Sequence, residues 1–161
     1  MEPSNPKSYD PPMHTAEHIL NQAMCRLFNC GRSVISHIEK KKSKCDYNLQ
    51  IPLREEDILK IENEVNGVIS QNLQVIDELI SYQEAEKQFN LNRLPENAGE
   101  ILRIVRVGDY DACPCSGTHV TNTSEIGEFK IISHSYENNL ERIRFKLIKK
   151  RFFNLSNGFK F

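Results

Sequence analysis

Residues 14–28 have the sequence HTAEHILNQAMCRLF, in which two histidines lie four positions apart within a helical pattern of apolar residues. The apolar residues recur at the three- and four-residue spacing of an amphipathic helix, and they are Ala16, Ile19, Leu20, Ala23, Leu27 and Phe28. At about 100° per residue, His14 and His18 fall almost opposite this stripe. We therefore expect an N-terminal helix whose apolar face joins the core and whose histidines face solvent or a second contact surface.

The remaining periodicity predicts an α+β fold. We expect four strands at 31–38, 42–51, 74–80 and 100–107, followed by a closing hairpin within 125–148. We expect two further helices at 54–69 and 82–89. In the last strand, three apolar residues alternate with three cationic ones. The apolar residues are Ile143, Phe145 and Leu147, and the cationic residues are Arg142, Arg144 and Lys146. The order αββαβαβββ is typical of helices packed on one face of a mainly antiparallel sheet.

The chain of 161 residues is long enough for one domain with a substantial core. We divide it into a proline-rich leader at 1–12, a single domain at 13–150 and a basic and aromatic tail at 151–161. Its start lacks the features of a signal or transit peptide, and no apolar run is long enough for a membrane span, so we expect a cytoplasmic protein without a membrane partner. The five cysteines are then expected to stay reduced and available for metal binding or catalysis.

A second pair of metal-ligating residue types lies in residues 111–120, DACPCSGTHV. Cys115 and His119 are four positions apart, and the small polar residues between them favour a tight turn that aims both side chains at one point. Together with His14 and His18 they form a set of three imidazoles and one thiolate, which suits zinc in a tetrahedral field. We therefore predict a single zinc site that joins the two segments.

Two other interpretations of these motifs remain open. Four protein ligands make a closed site, and closed zinc sites are usually structural. Alternatively, HTAEH matches the inverted zincin pattern, in which Glu17 would be the general base of a metalloprotease and Glu62 or Glu64 would supply a third ligand. The protease interpretation leaves Cys115 and His119 without a role.

Four stretches resemble the editing domain shared by alanyl- and threonyl-tRNA synthetases, which also occurs as free-standing AlaX-type alanyl-tRNA editing proteins. They are HTAEHIL at 14–20, IENEVNGVISQNLQV at 61–75, EAEKQF at 84–89 and CSGTHVTNTSEIGEFKI at 115–131. The resemblance runs from about Pro12 to about Lys149. It implies a zinc-dependent enzyme that hydrolyses the ester joining a wrong amino acid to the 3′ end of a tRNA.

The family's metal and catalytic positions match His14, His18, Cys115 and His119. Cys113 departs from the pattern, because it stands two residues before the matched cysteine where the family has no regular ligand. Nothing in the sequence resembles an aminoacylation domain, so the chain is expected to edit in trans and not to charge tRNA.

The resemblance favours seryl-tRNA for alanine as the substrate, with glycyl-tRNA for alanine as a second substrate that fits the same pocket. The alternatives are a deacylase of seryl-tRNA for threonine, a metal-free mechanism in which a histidine orients the water, and a non-catalytic tRNA-binding module with a structural zinc. Recognition of the serine hydroxyl needs a hydrogen-bonding partner, and the hydroxyls nearest the ligands in sequence are Thr15, Ser116 and Thr118.

Contacts with tRNA phosphates need cationic side chains. The net charge is −1, so such contacts must come from local basic groups. We favour the lysine run Lys40, Lys41 and Lys42, because it lies in a loop between strands that follow the ligand helix. The cationic face of the last strand and the residues Lys149, Lys150 and Arg151 are the other candidates.

Overall fold

The structure, a computed structural model, describes residues 9–92, 94 and 99–149. In chain order its elements are α1 (Pro11–Phe28), β1 (Ile35–His37), β2 (Ser43–Asn48), α2 (Glu55–Ile69), β3 (Val75–Ser81), α3 (Tyr82–Gln88), β4 (Ile101–Val107), β5 (Asp111–Pro114), the short 3-10 helix Thr123–Glu125, β6 (Glu128–Glu137) and β7 (Leu140–Ile148). The predicted order of elements recurs with one added strand, β5. Residues 1–8 of the predicted leader and the predicted tail at 151–161 lie outside the described residues.

The α+β prediction is confirmed, and the strands are divided between two antiparallel sheets. One sheet has the strand order β1-β2-β7-β6 and the other has the order β3-β4-β5. In β7, Ile143 and Phe145 are fully buried, as their alternation predicts. The predicted hairpin between β6 and β7 turns at Asn138 and Asn139, which both have positive φ angles, as the tightest hairpin turns require.

Helix α1 begins at Pro11, so the last two residues of the predicted leader form its first turn. Asp10 caps the helix by accepting a hydrogen bond from the Met13 amide at 3.3 Å, and prolines suit the first turn because no intrahelical N–H is lost there. The expected apolar face is buried at Ala16 and Ile19. No helix within the described residues is long and apolar enough to cross a membrane.

The opposite face of α1 is buried as well, since His14 and His18 are only 4% and 3% exposed. Of the two surfaces that the sequence allowed for the histidines, the structure therefore selects a contact surface within the protein. That surface is formed by β5 and by the loop that follows it.

Strand β5 positions this loop. It pairs with β4, with Asp111 opposite Val107 and Cys113 opposite Val105. The pairing continues one residue further, because the Cys115 amide donates to the Arg103 carbonyl at 3.1 Å. Cys115 is thereby fixed at the end of a strand, where sequence analysis predicted only a turn.

Candidate metal centre

Four side chains from α1 and from the loop after β5 converge on one point. One ligand atom from each of His14, His18, Cys115 and His119 lies within 4.8 Å of all the others. The Cys115 Sγ is 3.5 Å from the Nε2 of His14 and 3.5 Å from the Nε2 of His119. The two motifs that the sequence separates by about a hundred residues therefore form one cluster, as predicted.

Two of the imidazoles are oriented by hydrogen bonds on the side away from the cluster. The Nδ1 of His14 donates to the Thr118 carbonyl oxygen at 3.0 Å. The Nδ1 of His119 lies 2.9 Å from the Thr15 Oγ1, and that hydroxyl itself donates to the Pro11 carbonyl at 3.0 Å. Because the hydroxyl proton is used there, we assign the proton between them to His119 Nδ1. Both rings therefore present an unprotonated Nε2 to the cluster.

His18 is oriented by a buried carboxylate. Its Nδ1 is 3.7 Å from Asp111 Oδ2, and the side chains of both residues are almost completely buried. Asp111 also accepts two hydrogen bonds from Arg32, at 2.7 and 3.2 Å, and one from Gln22 at 3.0 Å. Burial alone would raise the pKa of Asp111, but His18 and Arg32 outweigh it and hold the pKa at about 2. His14 and His119 are thus hydrogen-bonded on their outer side, which is the usual support of metal-ligating histidines, whereas His18 Nδ1 lies near Asp111 without a hydrogen bond.

The two cysteines of this loop have opposite environments. Burial alone would raise the pKa of Cys115, but the contacts with the imidazoles of His119, His14 and His18 outweigh it and lower the pKa to about 3. For Cys113, burial raises the pKa to about 11. Cys115 is therefore the thiolate that a metal requires, whereas Cys113 stays a thiol whose Sγ contacts the Pro114 carbonyl at 3.3 Å.

The loop is held in place by Arg103 and by a close approach at Gly117. Arg103 Nη1 donates to the carbonyl oxygens of Cys115 and Gly117 at 2.9 and 2.7 Å. A β-carbon at position 117 would come within 2.8 Å of His14 Nδ1, which is closer than real side chains allow. Glycine is therefore required here because the backbone passes directly against the imidazole ring.

A cleft of about 700 Å³ is lined by Glu17, Cys113 and Pro114, which are neighbours of cluster residues, but by none of the four cluster residues themselves. Its wall on α1 is formed by Glu17, Asn21 and Cys25, which follow one another at four-residue spacing on the side of the helix next to the histidines. The facing walls carry Arg32, Ser33, Ser36, Phe89, Asn90, Ala112, Cys113 and Pro114. The link between the cleft and the cluster is Glu17, which lines the cleft and lies 4.0 Å from His14 Nε2.

The predicted hydroxyl groups occupy different positions around the cluster. The Thr15 side chain is fully buried and its hydroxyl contacts Pro11, His119 and the Val120 amide. It therefore supports a ligand and is not free to contact a substrate, which corrects the predicted role. Ser116 and Thr118 are exposed, and the Thr118 hydroxyl donates to the Tyr9 carbonyl at 2.9 Å.

The predicted cationic residues lie on the surface. Lys40, Lys41 and Lys42 are exposed in the loop between β1 and β2, as expected, and this loop leaves the strand whose residue Ser36 lines the cleft. In the alternative group, Arg142 is paired with Asp46 through contacts of 2.8 and 3.0 Å. Lys150 and Arg151 lie outside the described residues.

Sequence reasoning missed three supporting residues, Asp111, Arg32 and Arg103. The segment GDYDACPC reads as a loop, and an aspartate in a loop is normally exposed. Arg32 and Arg103 each lie in a different predicted strand, and only the tertiary pairing brings them to the loop. The one available signal was the proximity of Asp111 to the Cys/His motif.

Comparison with known proteins identifies the class of domain. Residues 102–145 match the family described as the threonyl and alanyl tRNA synthetase second additional domain. This stretch, from β4 to β7, is therefore similar to that synthetase domain, in line with the sequence resemblance.

The relatives point to the alanyl branch. Over 123 residues the chain is 40% identical to the alanine–tRNA ligase of Fervidobacterium nodosum, an alignment that covers 76% of this chain and 14% of the relative. It is 37% identical to that of Ligilactobacillus salivarius and 34% identical to that of Pseudothermotoga lettingae, with the same coverage. The chain is thus homologous to alanine–tRNA ligases over about three quarters of its length and spans about 14% of theirs.

Proposed function

We propose that this chain is a zinc-dependent deacylase that hydrolyses mischarged aminoacyl-tRNA in trans, with seryl-tRNA for alanine as its main substrate. The observation that carries the proposal is the convergence of His14, His18, Cys115 and His119 beside a cleft, in a chain related to alanine–tRNA ligases. The resemblance to editing domains supports hydrolysis as the activity, and translation in the cytoplasm is the setting that such a reaction implies.

The donor set supports zinc as the metal. Three imidazoles and one thiolate are borderline and soft ligands, which zinc accepts in tetrahedral geometry. The outer hydrogen bonds of His14 and His119, the Asp111 carboxylate near His18 and the low pKa of Cys115 fit a site built for a cation. A bound zinc ion would supply positive charge where the ester carbonyl becomes an oxyanion.

The chain's own residues have two tasks in this reaction, which are to hold the ester beside the cluster and to select the acyl group. Hydrolysis breaks the acyl C–O bond, adds the water oxygen to the acyl carbon and returns a proton to the ribose hydroxyl of the tRNA. The cleft beside Cys113 and Glu17 has room for a small acyl group. An aminoacyl ester is already activated, so position and charge stabilisation suffice for its cleavage.

Selection of serine over alanine requires a partner for the serine hydroxyl. We assign this role to Ser116 or Thr118, whose side chains are exposed at the ligand loop. A site that hydrogen-bonds a substrate hydroxyl rejects the analogue without it by several orders of magnitude. Glycine is small enough for the same cleft but lacks the hydroxyl, so glycyl-tRNA for alanine is expected to be a second, slower substrate.

The lysines of the loop between β1 and β2 are proposed to bind phosphates of the tRNA body. Lys40, Lys41 and Lys42 are exposed, and Lys42 shares a surface groove with Lys44 and Arg144. Such contacts add affinity and carry no sequence information. Discrimination among tRNAs is then a property of other contacts.

The proposal is tested with purified, zinc-loaded protein and five charged tRNAs. These are seryl-, glycyl- and alanyl-tRNA for alanine, and seryl- and threonyl-tRNA for threonine. We expect rapid hydrolysis of seryl-tRNA for alanine and much slower hydrolysis of the glycyl ester, which lacks the hydroxyl, with alanyl-tRNA left intact. Preferential hydrolysis of seryl-tRNA for threonine would show that the enzyme edits tRNA for threonine and not tRNA for alanine.

Two matched variants identify the site. Cys115→Ala should weaken zinc binding strongly and abolish hydrolysis, whereas Cys113→Ala, two residues away, should retain zinc binding. A wild-type protein that binds one zinc and tRNA but hydrolyses none of the five esters would be a binding module with a structural zinc. That result would overturn the proposed enzyme.

A further inference from the structure

The carboxylate of Glu17 lies between the metal-ligating cluster and the cleft. Its Oε1 is 4.0 Å from His14 Nε2, and its side chain is only 12% exposed. It also forms part of the cleft wall. This residue is the acidic position of the HTAEH motif, and the proposed deacylase has so far given it no role.

Within the described residues, no donor is within hydrogen-bond distance of this carboxylate. The neighbouring His14 cannot serve as one, because its Nδ1 proton is donated to the Thr118 carbonyl and its Nε2 faces the Cys115 thiolate. A largely buried carboxylate without a donor is costly, and a cationic ligand would offset that cost.

Arg32, the other charged residue of the cleft among the described residues, does not neutralise Glu17. Arg32 lines the same cleft, but its guanidinium makes two hydrogen bonds to Asp111 at 2.7 and 3.2 Å. Asp111 and Arg32 therefore form a closed pair. Among the described residues that line the cleft, the charge that remains free for a ligand is therefore the negative charge of Glu17.

We infer that Glu17 binds the α-ammonium group of the aminoacyl ester and so makes the enzyme specific for esters of α-amino acids. The inference rests on the proposed deacylase function and adds a binding site to it. In an α-amino ester the nitrogen and the carbonyl oxygen are about 3 Å apart by standard bond lengths. A carboxylate 4.0 Å from a cluster nitrogen can therefore hold the ammonium group while the carbonyl oxygen lies at the cluster.

This assignment separates Glu17 from a general base. A base that activates water acts on every ester in the site, whether or not the acyl group carries an ammonium. A carboxylate that binds the ammonium acts only on esters that carry it. The two roles therefore predict different responses to a change of substrate.

The test compares seryl-tRNA for alanine with the same tRNA carrying glycerate, in which a hydroxyl replaces the ammonium. Wild-type protein should prefer the seryl ester by about ten- to a hundredfold in kcat/KM, as expected for a buried hydrogen bond between charged groups. Glu17→Gln should slow only the seryl ester and largely abolish the preference. The matched control is Glu128→Gln, since Glu128 is exposed on β6. Zinc content should be the same in all three proteins.

Equal slowing of both esters by Glu17→Gln would overturn the inference and assign Glu17 to water activation. An unchanged preference would overturn it as well, because Glu17 would then not contact the acyl group.

Binding of a stable serine amide of 3′-amino-3′-deoxyadenosine provides a measurement that does not depend on turnover. Glu17→Gln should weaken its binding about tenfold in calorimetry and leave the corresponding glycerate amide unaffected. If the wild type binds the serine amide through Glu17 but hydrolyses no ester, the binding site stands and the proposed hydrolysis fails. If the variant binds the amide as tightly as the wild type, the ammonium site fails irrespective of the activity.

Discussion

Each of the two sheets contains a buried carboxylate that faces a histidine, and the two pairs have different surroundings. In the four-stranded sheet, Glu141 is completely buried and lies 2.6 Å from His134 Nδ1. In the three-stranded sheet, Asp111 is equally buried at the side chain and lies 3.7 Å from His18 Nδ1. The outer nitrogen of His134 faces the exposed Glu55 at 3.4 Å, whereas the other nitrogen of His18 belongs to the ligand cluster.

The difference indicates that one carboxylate–histidine pair stabilises the fold, whereas the other supports the ligand cluster. Glu141 also accepts a hydrogen bond from the Leu53 amide at 3.2 Å, so this pair fastens the segment before α2 to the sheet. Asp111 accepts from Arg32 and Gln22 and orients His18 toward Cys115. We therefore expect mutations of the first pair to change stability, and mutations of the second pair to change metal binding.

The largest expected effect is on stability, from Glu141→Ala. The substitution removes the contacts to His134 and Leu53 and leaves a cavity in a fully buried position. The free energy of unfolding of the zinc-loaded protein should fall by about 3 kcal/mol in urea titrations. Zinc affinity of the folded variant should match the wild type; a loss of affinity comparable to that of Asp111→Asn would show that the two pairs are not separate.

Asp111→Asn is expected to weaken zinc binding by about ten- to a hundredfold, or about 1.4 to 2.8 kcal/mol. The reason is that the carboxamide no longer attracts the His18 N–H as the carboxylate does, so the ring is less firmly oriented. Competition with a chelator of known affinity measures the effect. Unchanged affinity would mean that the loop and α1 alone orient His18.

A smaller effect concerns the pH dependence of stability. Burial lowers the pKa of His134, but hydrogen bonds to Glu141 and Glu55 outweigh it and raise the pKa above 6.5. The folded state therefore binds the His134 proton more tightly than the unfolded state does. Protonated His134 thus adds to the free energy of unfolding; this contribution is complete below pH 6.5 and is lost as pH rises through the folded-state pKa. The difference in free energy of unfolding between wild type and His134→Gln should therefore decrease as pH rises through the folded-state pKa. A difference that is constant with pH would contradict the assignment.

Replacing Lys40, Lys41 and Lys42 together by glutamine should have the smallest effect on the free energy of unfolding and on zinc affinity, because all three lysines are exposed. The triple glutamine variant should instead raise KM for charged tRNA severalfold and flatten its salt dependence, with kcat nearly unchanged. Hydrolysis of a minimal aminoacyl-adenosine ester should not change. Wild-type KM across salt concentrations would show that the lysines do not contact tRNA.

The sequence predicted the parts of the site that follow local rules. The four-residue spacing placed His14 and His18 on one face of α1 and opposite Ala16 and Ile19, because helical periodicity depends on spacing alone. The same holds for β7, where strict alternation predicted the burial of Phe145.

The parts that sequence reasoning missed depend on tertiary pairing. The residues of β5 show no alternation and include a proline, so only its register with β4 makes Asp111–Pro114 a strand. The burial of Asp111 follows from that register. Thr15 was expected to face the substrate, but the packing of the loop against α1 places His119 and Val120 over its hydroxyl.

X-ray absorption at the zinc edge of the loaded protein tests most directly whether one metal joins the two segments. The geometry predicts one sulfur neighbour at about 2.3 Å and nitrogen neighbours at about 2.0–2.1 Å. The spectrum should be the same for Cys113→Ala, and Cys115→Ala should remove the sulfur contribution. Two sulfur neighbours in the wild type, or sulfur retained in Cys115→Ala, would contradict the assignment of His14, His18, Cys115 and His119 as the ligands.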